Sequence, residues 1–155
     1  MIIIEIIQNK INSLMFNFNT FMLMEVDCMI NVTCAIIIND GKFLVTQRSA
    51  TMKLPLKWEF PGGKLEEGES EVDCIKREIK EELNIEIDVI QKMKNSIHDY
   101  GTFKINLIPF IANYISGAII LSEHANYMLL QKSELLNLDW AEADLPILNE
   151  LINSN

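Results

Sequence analysis

Glu78, Glu81 and Glu82 occur in the run Arg77-Glu78-Ile79-Lys80-Glu81-Glu82, and on a helix turning about 100° per residue that spacing puts three carboxylates on one face. If merely solvated, such pairs repel one another by roughly a few tenths of a kcal/mol each. A cation among them removes the repulsion. Hard carboxylate oxygens suit Mg2+ or Mn2+, and Mg2+ keeps several waters and completes its shell with substrate phosphates. The chemistry this allows is metal-assisted hydrolysis of a phosphoanhydride, in which the protein contributes position more than covalent steps. The plain alternative is a solvated acidic face. Arg77 can reach Glu81 at i+4 or hold Glu78 by paired bonds. Gly62 and Gly63, just upstream, let the backbone approach a metal and phosphates closely.

These residues need a helix and a rigid platform. Ser70 is a good N-cap with Asp73 in the capping-box position, which predicts a helix from about Glu71 to Leu83. On that helix Val72, Ile75, Ile79 and Leu83 form a packing stripe beside the carboxylate face. Asn84 follows as a left-handed cap, and Cys74 reads as a small packing residue. Upstream, Val32 and Cys34 to Ile38 predict a buried strand, Asn39-Asp40-Gly41 a hairpin turn, and Phe43 to Gln47 the returning strand. The turn lacks the spacing and distal glutamate of a calcium loop.

Arg48 to Lys57 is a polar loop leading to Trp58-Glu59-Phe60, which Pro61-Gly62-Gly63 breaks. Beyond the helix, Ile85 to Asn95 and Phe103 to Ser116 predict long strands around a His98-Asp99-Tyr100-Gly101 turn, where His98 reads as a surface residue. Tyr127 to Leu130 predicts a last strand, followed by a helical turn near Ser133 to Leu136. A final helix from about Ala143 should bury Leu145, Ile147, Leu148, Leu151 and Ile152. Helices covering a mixed sheet predict an α/β fold, specifically an α/β/α sandwich.

Length and composition limit the alternatives. The 155 residues, 49% hydrophobic and 23% charged, suit one domain without low-complexity tracts or repeats. Residues 1–29 are rich in Ile, Met, Phe and Asn, and include Met1, Met15, Met22, Met24 and Met29. They read as an extension or as translation begun upstream of the true start, with an amphipathic docking helix as the functional alternative. The domain then spans 30–153. A net charge of -9 argues against a nucleic-acid polymer as ligand, whereas small polyanions remain accessible through divalent cations. Cys28, Cys34 and Cys74 form neither a disulfide framework nor a zinc pattern, which predicts a reducing, cytoplasmic setting. No apolar run approaches the roughly 18 residues of a spanning helix, and the N-terminus does not read as a signal peptide. Monomer and homodimer are both compatible with the sequence.

Gly63, Glu69, Arg77, Glu78, Ile79, Glu81, Glu82 and Ile85 fall in register with a pattern that resembles the Nudix box, a glycine, five residues, a glutamate, seven residues, then R-E-U-x-E-E-x-G-U with U aliphatic. Asn84 departs from it by standing at the last glycine. The stretches VTCAIII, DGKFLVTQRS, KWEFPGGKLEEGE and LDWAEADLPIL are similar to the MutT-type nucleoside triphosphate pyrophosphohydrolases, including 8-oxo-dGTP and CTP or dCTP hydrolases. The similarity covers about Ile30 to Ile152. It implies the Nudix fold, a Mg2+ or Mn2+ cofactor, and water attack on a nucleoside triphosphate to release the monophosphate and pyrophosphate. It also implies a metal set of the Gly62 carbonyl, Glu78, Glu81 and Glu82. Glu78 is then the candidate general base, with Glu123 on a later loop as its competitor and as a further metal candidate.

Substrate contacts follow from the same resemblance. Arg48 would touch phosphate or base, beside Gly63. Trp58, Phe60 and Tyr100 either stack on the base or, for Trp58 and Phe60, pack the core. Asp144 stands where MutT reads the base with asparagine. An ionised carboxylate there only accepts hydrogen bonds, which suits the NH donors of a guanine edge, including the oxidised base, and places cytidine nucleotides second. The other role for Asp144 is N-cap of the last helix. The motifs of coenzyme A diphosphatases and NADH pyrophosphatases are incomplete or absent. A binding module that senses a nucleotide without hydrolysing it is the alternative from another class, and the intact Glu78, Glu81 and Glu82 argue against it.

Overall fold

Strand β1 (Met29–Asn39) is buried on both faces because its residues alternate between two cores. Cys34 and Ile36 point into one cluster, Ala35 and Ile37 into the other. The computed structural model describes residues 29–154, so the extension assigned to 1–29 lies, apart from Met29, outside the described residues. β1 turns through Asp40 and Gly41, both at positive φ (49° and 73°), and pairs antiparallel with β2 (Lys42–Gln47). Such a two-residue turn matches strand twist and favours an Asp-Gly pair.

On its other edge β1 runs parallel to β6 (Lys104–Ser116), from Met29 opposite Lys104 to Ile38 opposite Asn113. β3 (Trp58–Glu59) and β7 (Asn126–Leu130) pair antiparallel with β2, while β4 (Glu86–Lys92) and β5 (Ser96–Asp99) pair antiparallel with β6. The result is a mixed seven-stranded sheet.

Helix α1 (Glu71–Leu83) covers one face. The Asp73 N–H donates to the Ser70 hydroxyl oxygen at 3.1 Å, and Asn84 closes the helix in the left-handed region at φ 56°. Ile75, Ile79 and Leu83 enter the cluster holding Ala35, Leu44, Ile108 and Phe110. Val72, expected on this stripe, is exposed instead. At the first turn the inward face is carried by Cys74, whose sulfur lies 3.2 Å from the Thr33 hydroxyl.

The opposite face is covered by 3-10 turns at Lys132–Asn137 and Glu142–Asp144 and by helix α2 (Leu145–Asn153). Ile147, Leu148 and Leu151 are buried there, and Ile152 packs partly against them. Leu145 is 40% exposed, against expectation, because it lies about 200° round the helix from Ile147. Elements on both faces of a mixed sheet make the expected α/β/α sandwich.

The first strand after α1 is shorter than expected. Residues 85–95 do not form one strand; β4 ends at Lys92 after two register shifts, and β5 takes up the next stretch of β6. His98 and Asp99 therefore belong to a strand, and the turn contracts to about Tyr100–Phe103, closed by the Tyr100 N–H donating to the Phe103 carbonyl at 3.0 Å. The 13-residue β6 is long enough to pair both short strands in succession. Among the described residues no helix is long and apolar enough to cross a membrane.

Candidate active site

Three backbone hydrogen bonds zip the segment before α1 onto β1. The Ala35 N–H donates to the Pro61 carbonyl (2.9 Å), the Thr33 N–H to Gly63 (2.8 Å), and the Leu65 N–H to Asn31 (3.0 Å). Two glycines make the approach possible. A Cβ on Gly62 would lie 2.1 Å from the Thr33 carbonyl oxygen, and one on Gly63 would lie 2.2 Å from the carboxyl carbon of Glu78. Gly63 is thus the place where the Glu78 side chain rests against backbone.

Arg77 ties the acidic residues together. Its Nε and Nη2 donate to the two carboxylate oxygens of Glu69 at 2.8 and 2.9 Å, and Nη1 donates to Glu78 Oε1 at 2.9 Å and Glu81 Oε2 at 3.3 Å. The expected reach to Glu81 exists, but Glu78 is held by a single bond, and the paired bonds expected there go to Glu69 instead. The pair holds Glu69 well below the usual carboxylate range, at about 2. Glu78 moves the other way: burial raises it despite Arg77.

Glu82 is turned inward. Its Oε2 accepts the Gly62 N–H at 3.2 Å, and burial pushes its carboxyl up to about 8. Glu81, on the same helical face, is exposed, and so is Glu123 on the loop before β7. Among the described residues no three His, Cys, Asp or Glu side chains converge as a finished metal cluster. The donor chemistry nevertheless suits a hard divalent cation. Glu78 and Glu82 are carboxylates in partly dry surroundings, where an added positive charge favours the ionised form, and Gly63 leaves room for Glu78 that any side chain would fill.

Beside this acidic corner lies a cavity of 120 Å3, whose lining includes Arg48, Leu54, Phe60, Gly62, Tyr100 and Asp144. Phe60 is buried and packs on Trp140 with ring centroids 4.8 Å apart, so it serves the core and the cavity wall together. Trp58 is buried in the core and is not part of the lining. Tyr100 reaches the cavity with a ring stacked on Phe103 at 5.2 Å.

Arg48 lines the cavity, yet its guanidinium is engaged: Nη1 donates to Glu59 Oε2 and Nε to the Lys53 carbonyl. Asp144 is fully buried and does not cap the last helix, as its Oδ1 instead accepts the Phe60 N–H at 3.0 Å. Burial pushes its carboxyl up to about 8. Burial thus favours the protonated carboxyl, which can donate as well as accept, over the ionised form considered from sequence.

Two residues not singled out from sequence bear on this wall: Glu59, which lines it, and His124, which bonds to Glu59 from behind. Glu59 receives Arg48 on one oxygen and, on the other, lies 2.9 Å from His124 Nε2. The only hint was the charge placed between Trp58 and Phe60. His124 carried no motif, and its burial is decided by the loop that carries it. Burial lowers its pKa, but the Glu59 hydrogen bond and the nearby Glu82 leave the imidazole above its ordinary value overall.

The family model described as NUDIX domain matches residues 29–148. The chain is 35% identical over 120 residues to the CTP pyrophosphohydrolase of Escherichia coli (strain K12), covering 77% of this chain and 89% of that protein. It is 32% identical over 98 residues to the 8-oxo-dGTP diphosphatase of Buchnera aphidicola subsp. Acyrthosiphon pisum, covering 63% and 79% respectively. Among solved structures, the E. coli ORF135 protein superposes with a TM-score of 0.71 at 33% identity, covering 81% of this chain and 90% of that one. The MutT protein from methicillin-resistant Staphylococcus aureus 252, described as a Nudix family hydrolase, does so at 0.67 and 39% identity, covering 82% and 98%.

Proposed function

Because this chain belongs to the Nudix family, we propose that it hydrolyses a nucleoside triphosphate to the nucleoside monophosphate and pyrophosphate with Mg2+, Mn2+ being the alternative ion. The observation that carries the reading is that Glu82 and Gly62, on the helix and the loop that also carry the Arg77-held carboxylates, line a cavity with aromatic and titratable walls.

Nudix hydrolases generally use divalent ions; here Glu78, Glu81, Glu82 and the Gly62 carbonyl would hold the ion, with Glu123 as a further candidate. Such an ion neutralises phosphate charge and acidifies water. Arg77 occupies Oε1 of Glu78 and leaves Oε2 free, which supports Glu78 as the base that would take the proton of the attacking water. Water oxygen joins phosphorus as the bond between the α- and β-phosphates breaks. Glu123 is the competing base, on a loop tied to α1 by the Ser122 N–H donating to the Glu82 carbonyl at 3.0 Å.

Phe60, Tyr100 and Asp144 are the proposed base contacts, with Gly63 and Arg48 on the side nearer the phosphates. An ionised Asp144 suits guanine and its oxidised form, which supports an 8-oxo-dGTP-sanitising role. A protonated Asp144 pairs equally well with the adjacent acceptor and donor of cytosine. The 35% identity to a CTP pyrophosphohydrolase favours that second reading.

The test is a panel of 8-oxo-dGTP, dGTP, GTP, CTP, dCTP, ATP and UTP with and without Mg2+, with pyrophosphate and phosphate release followed separately. Pyrophosphate from at least one triphosphate, lost on chelation, is expected. Faster turnover of CTP than of any guanine nucleotide selects the second reading. Binding with no turnover of any nucleotide would make the chain a nucleotide-binding module.

A further inference from the structure

His124 is an unusual occupant of its site. Its side chain is 1% exposed, Nε2 lies 2.9 Å from Glu59 Oε1, and Nδ1 is buried with no hydrogen-bond partner among the described residues. A buried polar atom left unpaired is destabilising. An apolar side chain of similar size would fill the space without that penalty, so packing alone does not call for an imidazole. What an apolar residue cannot supply is the bond to Glu59.

That bond begins a chain of contacts leading to the cavity. Glu59 Oε2 holds Arg48 Nη1, and Arg48 Nε holds the Lys53 carbonyl. The same loop is further tied by the Leu56 N–H donating to the Arg48 carbonyl (3.2 Å) and by Gln47 Nε2 donating to the Leu56 carbonyl (2.9 Å). It carries Met52 and Leu54 into the cavity wall, and Leu54 sits at φ 52°, a backbone state that a branched residue keeps only when its surroundings impose it.

We propose that His124 is a positioning residue for nucleotide binding, fixing Glu59 so that Glu59 holds Arg48 and Arg48 holds the Met52–Leu54 wall of the cavity. The inference rests on the hydrolase reading above and adds to it a residue that touches no substrate. Its signature is loss of binding with little change in the chemical step, because the hydrogen bonds that start at His124 lead to the cavity wall.

The experiment compares His124→Leu, which fills the space without a donor, with His124→Gln, whose amide nitrogen reaches nearly the same point. Glu59→Gln and the His124→Leu/Glu59→Gln double variant complete the cycle. KM and kcat are measured on whichever triphosphate the parent turns over best, and Tm is recorded alongside. A hydrogen bond to a charged group contributes about 1.5–3 kcal/mol, so His124→Leu should raise KM about tenfold or more while kcat changes less than about threefold. His124→Gln should return KM to within about threefold of the parent, and the double variant should be no worse than the poorer single one. An unchanged KM in His124→Leu, no recovery in His124→Gln, or additive losses would each overturn the inference. A parent inert towards every triphosphate sinks the hydrolase reading instead; nucleotide dissociation constants of the same variants, read by the same criteria, then decide the role of His124.

Discussion

The backbone N–H of Phe60 donates to Oδ1 of Asp144 at 3.0 Å, joining positions 84 residues apart. This bond links the end of β3 to the turn before α2 through two residues that both line the cavity. It also places a fully buried carboxyl next to Glu59, whose charge adds to the effect of burial.

Asp144 gives the fold a pH dependence of defined sign. In an unfolded chain an aspartate titrates near about 3.9, whereas in the fold Asp144 does so at about 8. Between those values the folded protein keeps a proton that the unfolded chain has lost, so this residue's contribution to stability is greatest below the lower value. It falls as pH rises through the window and levels off above it. Asn can still accept the Phe60 N–H and has no proton to lose. Urea midpoints of Asp144→Asn should therefore exceed the parent's at pH about 8.5, with the gap closing towards pH about 4. Parallel pH profiles for the two proteins would count against burial as the cause.

The two glycines before α1 should fail differently. Gly62→Ala drives a Cβ into the Thr33 carbonyl, which is backbone in the central strand, and should destabilise by about 1–3 kcal/mol or more. Gly63→Ala meets only the tip of Glu78, which can swing away. Its Tm should stay near the parent's while kcat falls, because the moved group is the proposed base. Denaturation midpoints and turnover on both variants separate these cases, and an inactive, equally destabilised pair would refute the distinction.

Glu82→Gln and Glu81→Gln distinguish a metal role from a folding role. Without Mg2+, Glu82→Gln removes a desolvated carboxyl while an amide oxygen can still receive the Gly62 N–H, so its Tm should match or exceed the parent's. Glu81 is exposed, and its replacement should leave the metal-free Tm unchanged. Mg2+ at about a hundred times its Kd should stabilise the parent by about 2.7 kcal/mol. Glu82→Gln should lose that gain along with turnover, and Glu81→Gln should lose part of both. Thermal scans with and without Mg2+ read the difference; a full Mg2+ response in Glu82→Gln would remove Glu82 from the proposed metal set.

Much of the molecule was legible because it depends on neighbours in sequence. Helical periodicity alone puts Glu78, Glu81 and Glu82 on one face. Ser70 and Asn84 mark the ends of α1 through bonds to residues within four positions, and Asp40-Gly41 sets its turn by its own backbone preferences. The alternation in β1 and the strand-rich order around α1 likewise predict a covered mixed sheet.

Contacts between distant segments decided the rest. Nothing near Asp144 in sequence shows that its carboxyl turns from the helix it precedes towards Phe60, and that choice sets both its protonation and what it can offer a base. His124 meets Glu59 across 65 positions, Leu145 is exposed because the sheet lies on the other side of its helix, and Val72 is exposed although it shares a stripe with the buried Ile75 and Ile79. Local pattern is written in dihedral preference and periodicity, which a linear sequence carries directly. Desolvation, partner choice and cavity shape depend on which remote surfaces pack together, and those exist only once the sheet has closed around β1.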